Sequence, residues 1–232
     1  MAKPICAIVG IGPGNGEALA RRFAADHRVA LLSRSTDLAG KLAAEIGDAR
    51  AYACDVTDAA SVDRAFGAIA ADLGEVDKLI YNAGSGVFAT VEEITPEQFE
   101  ASWRVNANGL LLAAQKVIPA MKAKGRGAIV VIGATASRRG APRTAAFAPA
   151  KAAQRSLAES MAKHLGPAGI HVAIIIIDGV VDLPRTRAHM PDKSDDFFVK
   201  PDDVAAIAHG LVQQPRSAWS FEVEARPFAE KW

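Results

Sequence analysis

The sequence predicts an α/β domain built on a mostly parallel sheet with helices on both faces, and three observations predict it. Strand-like apolar runs alternate with helix-like periodic runs from end to end, the pattern of repeated βαβ units. The run Ile170 to Ile177 is so uniformly aliphatic that it belongs at the centre of a sheet covered on both sides. The first apolar run, Ile5 to Gly10, meets a turn with glycine at 10, 12, 14 and 16 and passes at once into an alanine-rich helical pattern. Strand, glycine turn and helix in that order form a dinucleotide-binding signature.

The remaining elements follow in order. Leu19 and Phe23 recur at i, i+4 on the first helix, and Arg28 to Ser33 reads as the second strand. Leu38, Leu42 and Ile46 mark a second helix, and about Arg50 to Cys54 a third strand. Thr57 or Asp58 caps the next helix, whose inner face is Val62, Phe66, Ile69 and Leu73. Val76 to Tyr81 is the fourth strand. Thr95-Pro96-Glu97-Gln98 combines a Thr cap, a proline at the first helical position and a capping-box Gln. It opens a long helix running through Trp103, Asn106 and Leu110 toward Met121. Ala128 to Gly133 is the fifth strand, and a helix spans about Thr144 to Leu165. Asp178 to Lys200 carries prolines and charges without a period, which predicts a mobile loop. Pro201 starts a helix with Val204, Ile207 and Leu211 inward, and Trp219 to Glu224 alternates like a last strand. No linker, repeat or low-complexity tract interrupts residues 1–232, so one domain is the economical reading.

Composition narrows the function classes. Half the residues are hydrophobic and 6% aromatic, which suits a large aliphatic core and excludes disorder. Lys plus Arg number 27 against 26 Asp plus Glu, so the net charge of +1 gives no long-range attraction to nucleic acid or an anionic membrane. Cys6 and Cys54 sit in apolar runs without metal-ligand spacing and read as core residues in a reducing compartment. No signal segment precedes the first strand and no aliphatic run is long enough to span a bilayer, so the expected location is the cytoplasm.

The chemistry of the glycine turn explains its composition. The turn must be tight, its backbone must approach a pyrophosphate, and the helix must pack closely on the strand. N–H groups and the positive end of the helix dipole then face the phosphates. Downstream, Asp55 follows the third strand, Asn82-Ala83-Gly84 follows the fourth, and Asn106 lies in the long helix. With these in order, the sequence resembles the short-chain dehydrogenase/reductase family over nearly its whole length. Gly10-x-x-x-Gly14-x-Gly16 is similar to that family's Thr-Gly-x-x-x-Gly-x-Gly, with Val9 in place of the threonine. The resemblance implies a doubly wound (Rossmann) sheet of about seven strands and oxidoreduction of a small-molecule substrate with NAD(P)(H). It also implies a homodimer or homotetramer assembled through two long helices, and a substrate lid at 178–200. The implied cofactor-binding set is Gly10, Gly14, Asn15, Gly16, Ser33, Arg34, Asp55, Val56, Asn82, Ala83, Gly84 and Lys151. Taken singly, Asp55 also fits a helix cap, Asn82 a turn, Asn106 a wet helix face, Arg34 a solvated surface and Lys151 an ordinary helix lysine.

Two departures matter. The end of the second strand is Leu32-Ser33-Arg34, where a carboxylate would select NAD by bonding the ribose 2′-hydroxyl. A guanidinium there favours NADP(H) over the still possible NAD(H), because it can bind a 2′-phosphate in bidentate fashion. In the family a Ser and a Tyr-x-x-x-Lys pair do the chemistry, the tyrosine as general acid or base. Here the matching segment is Phe147-Ala148-Pro149-Ala150-Lys151, and the serine position falls on Ala134. Lys151 and Asn106 alone of that catalytic set remain, Lys151 as a ribose clamp. Thr135, Ser137, Arg138, Arg139, Asp178, Asp182, Arg185 and His189 are the neighbours able to supply a polar group, and Leu183, Met190, Phe197 and Phe198 suggest an apolar pocket wall. The expectation is therefore an oxidoreductase with an atypical active site. The alternative is a catalytically weak or inactive NADP(H)-binding regulatory or structural protein on the same scaffold.

Overall fold

In the computed structural model, which describes residues 3–230, the first apolar run forms β1 (Ile5–Val9) and the glycine turn leads into α1 (Asn15–Ala24). There follow β2 (Arg28–Ser33), α2 (Asp37–Ile46), β3 (Ala49–Ala53), α3 (Ala59–Asp72) and β4 (Lys78–Tyr81). Next come α4 (Pro96–Trp103), a π-helical turn at Arg104–Asn108, α5 (Gly109–Lys124), β5 (Gly127–Ala134), α6 (Phe147–Leu165) and β6 (Ile170–Ile177). The chain closes with β7 (Val180–Val181), α7 (Pro184–His189), β8 (Phe198–Val199), α8 (Pro201–Val212) and β9 (Glu222–Ala225).

Seven strands pair in the order β3-β2-β1-β4-β5-β6-β9, and every neighbouring pair is parallel. This is the doubly wound sheet expected. Because β1 leads outward to β2 and β3 on one side and to β4 and β5 on the other, strand order reverses between β1 and β4. The crevice at their carboxyl ends is where open α/β sheets hold ligands. All eight residues of β6 are buried, as its composition demands.

Alternation along the strands sends side chains to two separate cores. Cys6 and Ile8 of β1 join Leu19 and Phe23 of α1, Leu42 of α2 and Val204 and Leu211 of α8 on one face. Ala7 and Val9 join Val62, Phe66 and Ile69 of α3, Leu110 of α5 and Ala158 of α6 on the other. Both cysteines are free and buried, consistent with their reading as core residues.

Several boundaries differ from the sequence reading. Asp58, not Thr57, caps α3, its carboxylate accepting from Ala60 N at 2.9 Å, while Thr57 turns back to bond Asp55. The long helix is not uniform, because the π turn that carries Asn106 separates α4 from α5. Helix α6 begins at Phe147 rather than Thr144, since Thr144 closes a local turn in which its hydroxyl bonds both backbone groups of Ala141. The last strand starts at Glu222, three residues late, because the Trp219 ring stacks on His171 with centroids 4.8 Å apart instead of alternating in a ladder. Residues 178–200 are not featureless: β7 and β8 pair in parallel and bracket α7.

Candidate active site

The crevice between β1 and β4 is a cavity of about 350 Å³. Gly10, Ser33, Arg34, Asp55, Val56, Asn82, Ala83 and Gly84 line it, so eight of the expected cofactor residues come together there. Asn15 and Gly16 line a smaller adjoining cavity of about 180 Å³ with Val181 and Leu183.

The backbone explains why glycine occupies this turn. Gly10 has φ +99°, and a Cβ there would lie 2.4 Å from Ala83 N. At Gly16 a Cβ would lie 2.7 Å from the Gly10 oxygen, so the first turn of α1 packs directly on the strand end. Among the described residues no side chain caps α1, and the Asn15 Oδ1 is buried without a partner. An uncapped helix start and an orphaned buried oxygen at the mouth of a tight glycine cradle fit a dinucleotide. Asn82 braces the crevice, its Nδ2 donating to the Gly10 oxygen at 2.7 Å and its backbone N–H to Val9.

The far rim holds Ser33, Arg34 and Asp55. Ser33 donates to the Ser35 oxygen at 2.6 Å, and Arg34 is exposed without a salt-bridge partner among the described residues. The Asp55 carboxylate accepts from Thr57 N at 2.9 Å and Thr57 Oγ1 at 2.7 Å. Those bonds, with Arg34 nearby, hold its carboxyl below the usual range, so it stays an anionic acceptor.

Under Gly84 lie Asn106 and Lys151, the two residues expected from the catalytic set, neither of them lining the two cavities. Asn106 is fully buried, its Nδ2 donating to the oxygens of Ser85 and Ser102 at 2.8 Å each, and its Oδ1 is unpaired. Lys151 is 6% exposed, and burial brings its pKa down to about 8. Its Nζ donates to the Ile132 oxygen at 3.1 Å and to Gln154 Oε1 at 2.9 Å. Sequence reasoning missed Gln154. Its signal was a polar residue at i+3 from Lys151, on the inward face that also carries Ala158.

The positions expected to hold serine and tyrosine are apolar in space as in sequence. Ala134 ends β5. The Phe147 ring lies against Gly86, where a Cβ would come within 2.7 Å of it, and beside Phe88 at a centroid distance of 5.2 Å. Most candidate substitutes are committed elsewhere. Arg138 pairs with Glu222 and Glu224 of β9, so it does not turn inward. Asp182 pairs with Arg187 and Lys200, which hold its carboxyl well below the usual range and deny it a proton to give. His189 Nδ1 is 2.7 Å from the oxygen of exposed Arg185. Ser137 is buried with an unpaired hydroxyl, lining a different hollow with exposed Arg139. Thr135 starts a 3₁₀ turn, its Oγ1 3.1 Å from the Ile177 oxygen and 2.5 Å from Asp178 Oδ1. Of the apolar residues at 178–200, Leu183 lies over Gly14, and Phe198 is buried under the Arg187 guanidinium at 4.1 Å.

The sequence profile described as short chain dehydrogenase matches residues 4–193. The chain is 33% identical over 183 residues to the 3-oxoacyl-(acyl-carrier-protein) reductase MabA of Mycobacterium tuberculosis, covering 78% of this chain and 70% of that one. It is similar to the structure of a short-chain dehydrogenase from Rhodopseudomonas palustris, with TM-score 0.83 at 33% identity over 97% of this chain and 99% of that one. An alcohol dehydrogenase from the archaeon Thermococcus sibiricus complexed with 5-hydroxy-NADP gives TM-score 0.88 at 26% identity, covering 99% and 98%.

Proposed function

The chain belongs to the short-chain dehydrogenase family, and from that premise we propose that it is an NADP(H)-dependent oxidoreductase acting on a small molecule through an atypical active site. The observation that carries the cofactor assignment is the rim at Leu32-Ser33-Arg34, which has no carboxylate to repel a 2′-phosphate and an exposed guanidinium, without a salt-bridge partner among the described residues, to receive one. Solved relatives complexed with NADP-type nucleotides support the same reading. Bound NADP(H) supplies or accepts the hydride. The chain's own residues bind and orient it: the start of α1 takes the diphosphate, Asp55 the adenine side, and Lys151 clamps the nicotinamide ribose. Residues 178–200 act as the lid, with Leu183 already over the glycine turn.

A positioned general acid contributes roughly 10²–10⁴-fold to rate. With Ala134 and Phe147 at the serine and tyrosine positions, the favoured substrate is one that accepts hydride without a phenolic proton, such as an iminium or a molecule carrying its own acid. A second reading, favoured by the apolar packing of Phe147 against Gly86 and Phe88, is an NADP(H)-binding regulatory protein with little turnover. Titration with NADPH and NADH, followed by assay of aldehydes, ketones and imines, tests both. Tighter NADPH binding with imine turnover supports the first reading, binding without turnover supports the second, and tighter NADH overturns the cofactor assignment. Cytoplasmic location and homo-oligomer assembly complete the proposal.

A further inference from the structure

Gln154 is wholly buried, three residues after Lys151 on α6. Its Oε1 accepts from Lys151 Nζ at 2.9 Å, and its Nε2 donates to the backbone oxygen of Asn106 at 2.9 Å. The Ile132 oxygen takes a second bond from Nζ. Two of the three N–H groups of the ammonium are thus engaged by uncharged acceptors. Nζ lies beside Gly84, where a Cβ would be 3.5 Å from Nζ and 3.4 Å from Asn106 Oδ1, an oxygen with no partner among the described residues, and Nζ stands 6.0 Å from the Phe147 ring centroid. Gly84 lines the nucleotide crevice, so a donor and an acceptor meet at one point beneath its floor.

We propose that Gln154 is the positioning residue of this site: it ties Lys151 to the Asn106 backbone so that one N–H of Lys151, beside Asn106 Oδ1, is presented at Gly84 to a cofactor hydroxyl. The inference rests on the nucleotide reading of the crevice. Burial alone shifts Lys151, with no charged group of α6, β5, the π turn or residues 82–86 acting on it among the described residues, so uncharged acceptors are what hold the ammonium in place. A lysine on a four-carbon stem has many rotamers, and without a second anchor its ammonium has no fixed direction.

The test uses the full chain and the variants Gln154→Leu, Gln154→Glu and Lys151→Met, each checked for folding by circular dichroism. One readout is the NADPH dissociation constant. The other, taken without cofactor, is the Lys151 pKa from NMR of lysine labelled with ¹³C at Cε. Gln154→Leu removes a hydrogen bond to a charged donor, and its expected effect is about tenfold weaker NADPH binding with a lower Lys151 pKa. Gln154→Glu raises that pKa and binds NADPH more tightly than the Leu variant. Wild-type affinity and an unmoved Lys151 pKa in Gln154→Leu overturn the proposal. If that variant does not fold, an unmoved pKa in Gln154→Glu overturns it instead. Failure of the wild type to bind either nucleotide overturns the nucleotide reading, while the pKa comparison still judges Gln154.

Discussion

Lys151 couples the site to stability. In the unfolded chain it holds its proton to its ordinary pKa of 10.5, whereas in the fold it releases it near pH 8. Below pH 8 both states are protonated and the burial penalty acts in full. Between about 8 and 10.5 the unfolded chain binds the extra proton, so this residue's contribution to stability improves as pH rises. Urea denaturation of wild type and Lys151→Met should show the wild type gaining on the variant by on the order of 3 kcal/mol between pH 7 and 10.5. Parallel profiles would contradict the shift. The double change Ala134→Ser with Phe147→Tyr supplies the two hydroxyls that the family resemblance expects at those positions, and on the proposed function ketone turnover with NADPH should rise by about 10²-fold or more. No gain would count against a history of carbonyl chemistry at this site. Both positions are read through the resemblance to the family's Tyr-x-x-x-Lys segment and the serine at the preceding strand end. Gln154 was not legible, because periodicity marks which face is inward but does not tell a buried glutamine from a wet one.

Elements whose interiors are strongly periodic were legible, and those set by local polar contacts were not. The inner strands of the central sheet announce themselves by apolar runs and the edge strand β9 by alternation, but β7 and β8 are two residues each, too short for any period. What orders them is a charge cluster. Asp182 N bonds the Val199 oxygen, and its carboxylate takes Arg187 at 2.6 and 2.8 Å and Lys200 at 2.7 Å, joining α7 to the start of α8. Arg187 also reaches Asp195 at 2.7 Å. Asp182→Ala should therefore speed amide hydrogen exchange across 180–199 while leaving β1 and β4 protected. Because both cations hold the Asp182 carboxyl below its ordinary pKa, the cluster is intact above the usual carboxylate range and is lost as pH falls through the lowered value. Exchange that is unchanged in the variant would mean that the hydrophobic contacts of Leu183 and Phe198 suffice.

At the scale of the molecule, the reversal of strand order between β1 and β4 places the crevice, and the long helix interrupted by the π turn exposes large apolar side chains. Phe99 and Trp103 lie i, i+4 on α4 and are each 44% exposed, with Leu111 of α5 also exposed. If this interrupted helix is one of the two long helices that pair copies, Trp103→Glu should shift sedimentation toward monomer. The crevice leads to a separate, assembly-independent outcome. A ligand that binds only the folded state stabilises it by RT ln(1 + [L]/Kd), about 2.7 kcal/mol at one hundred times Kd. For a chain of 232 residues each kcal/mol raises Tm by roughly 2–4 °C, so saturating NADPH should raise it by about 5–10 °C. An equal concentration of NADH lacks the 2′-phosphate and should raise it less. Arg34→Glu places a carboxylate where the phosphate would sit, so it should abolish the NADPH shift and leave that of NADH unchanged or larger, because the glycine turn that takes the diphosphate offers backbone and is untouched. A variant that still favoured NADPH would show that Arg34 does not read the phosphate, and the selection would then have to come from Ser33 or from the lid.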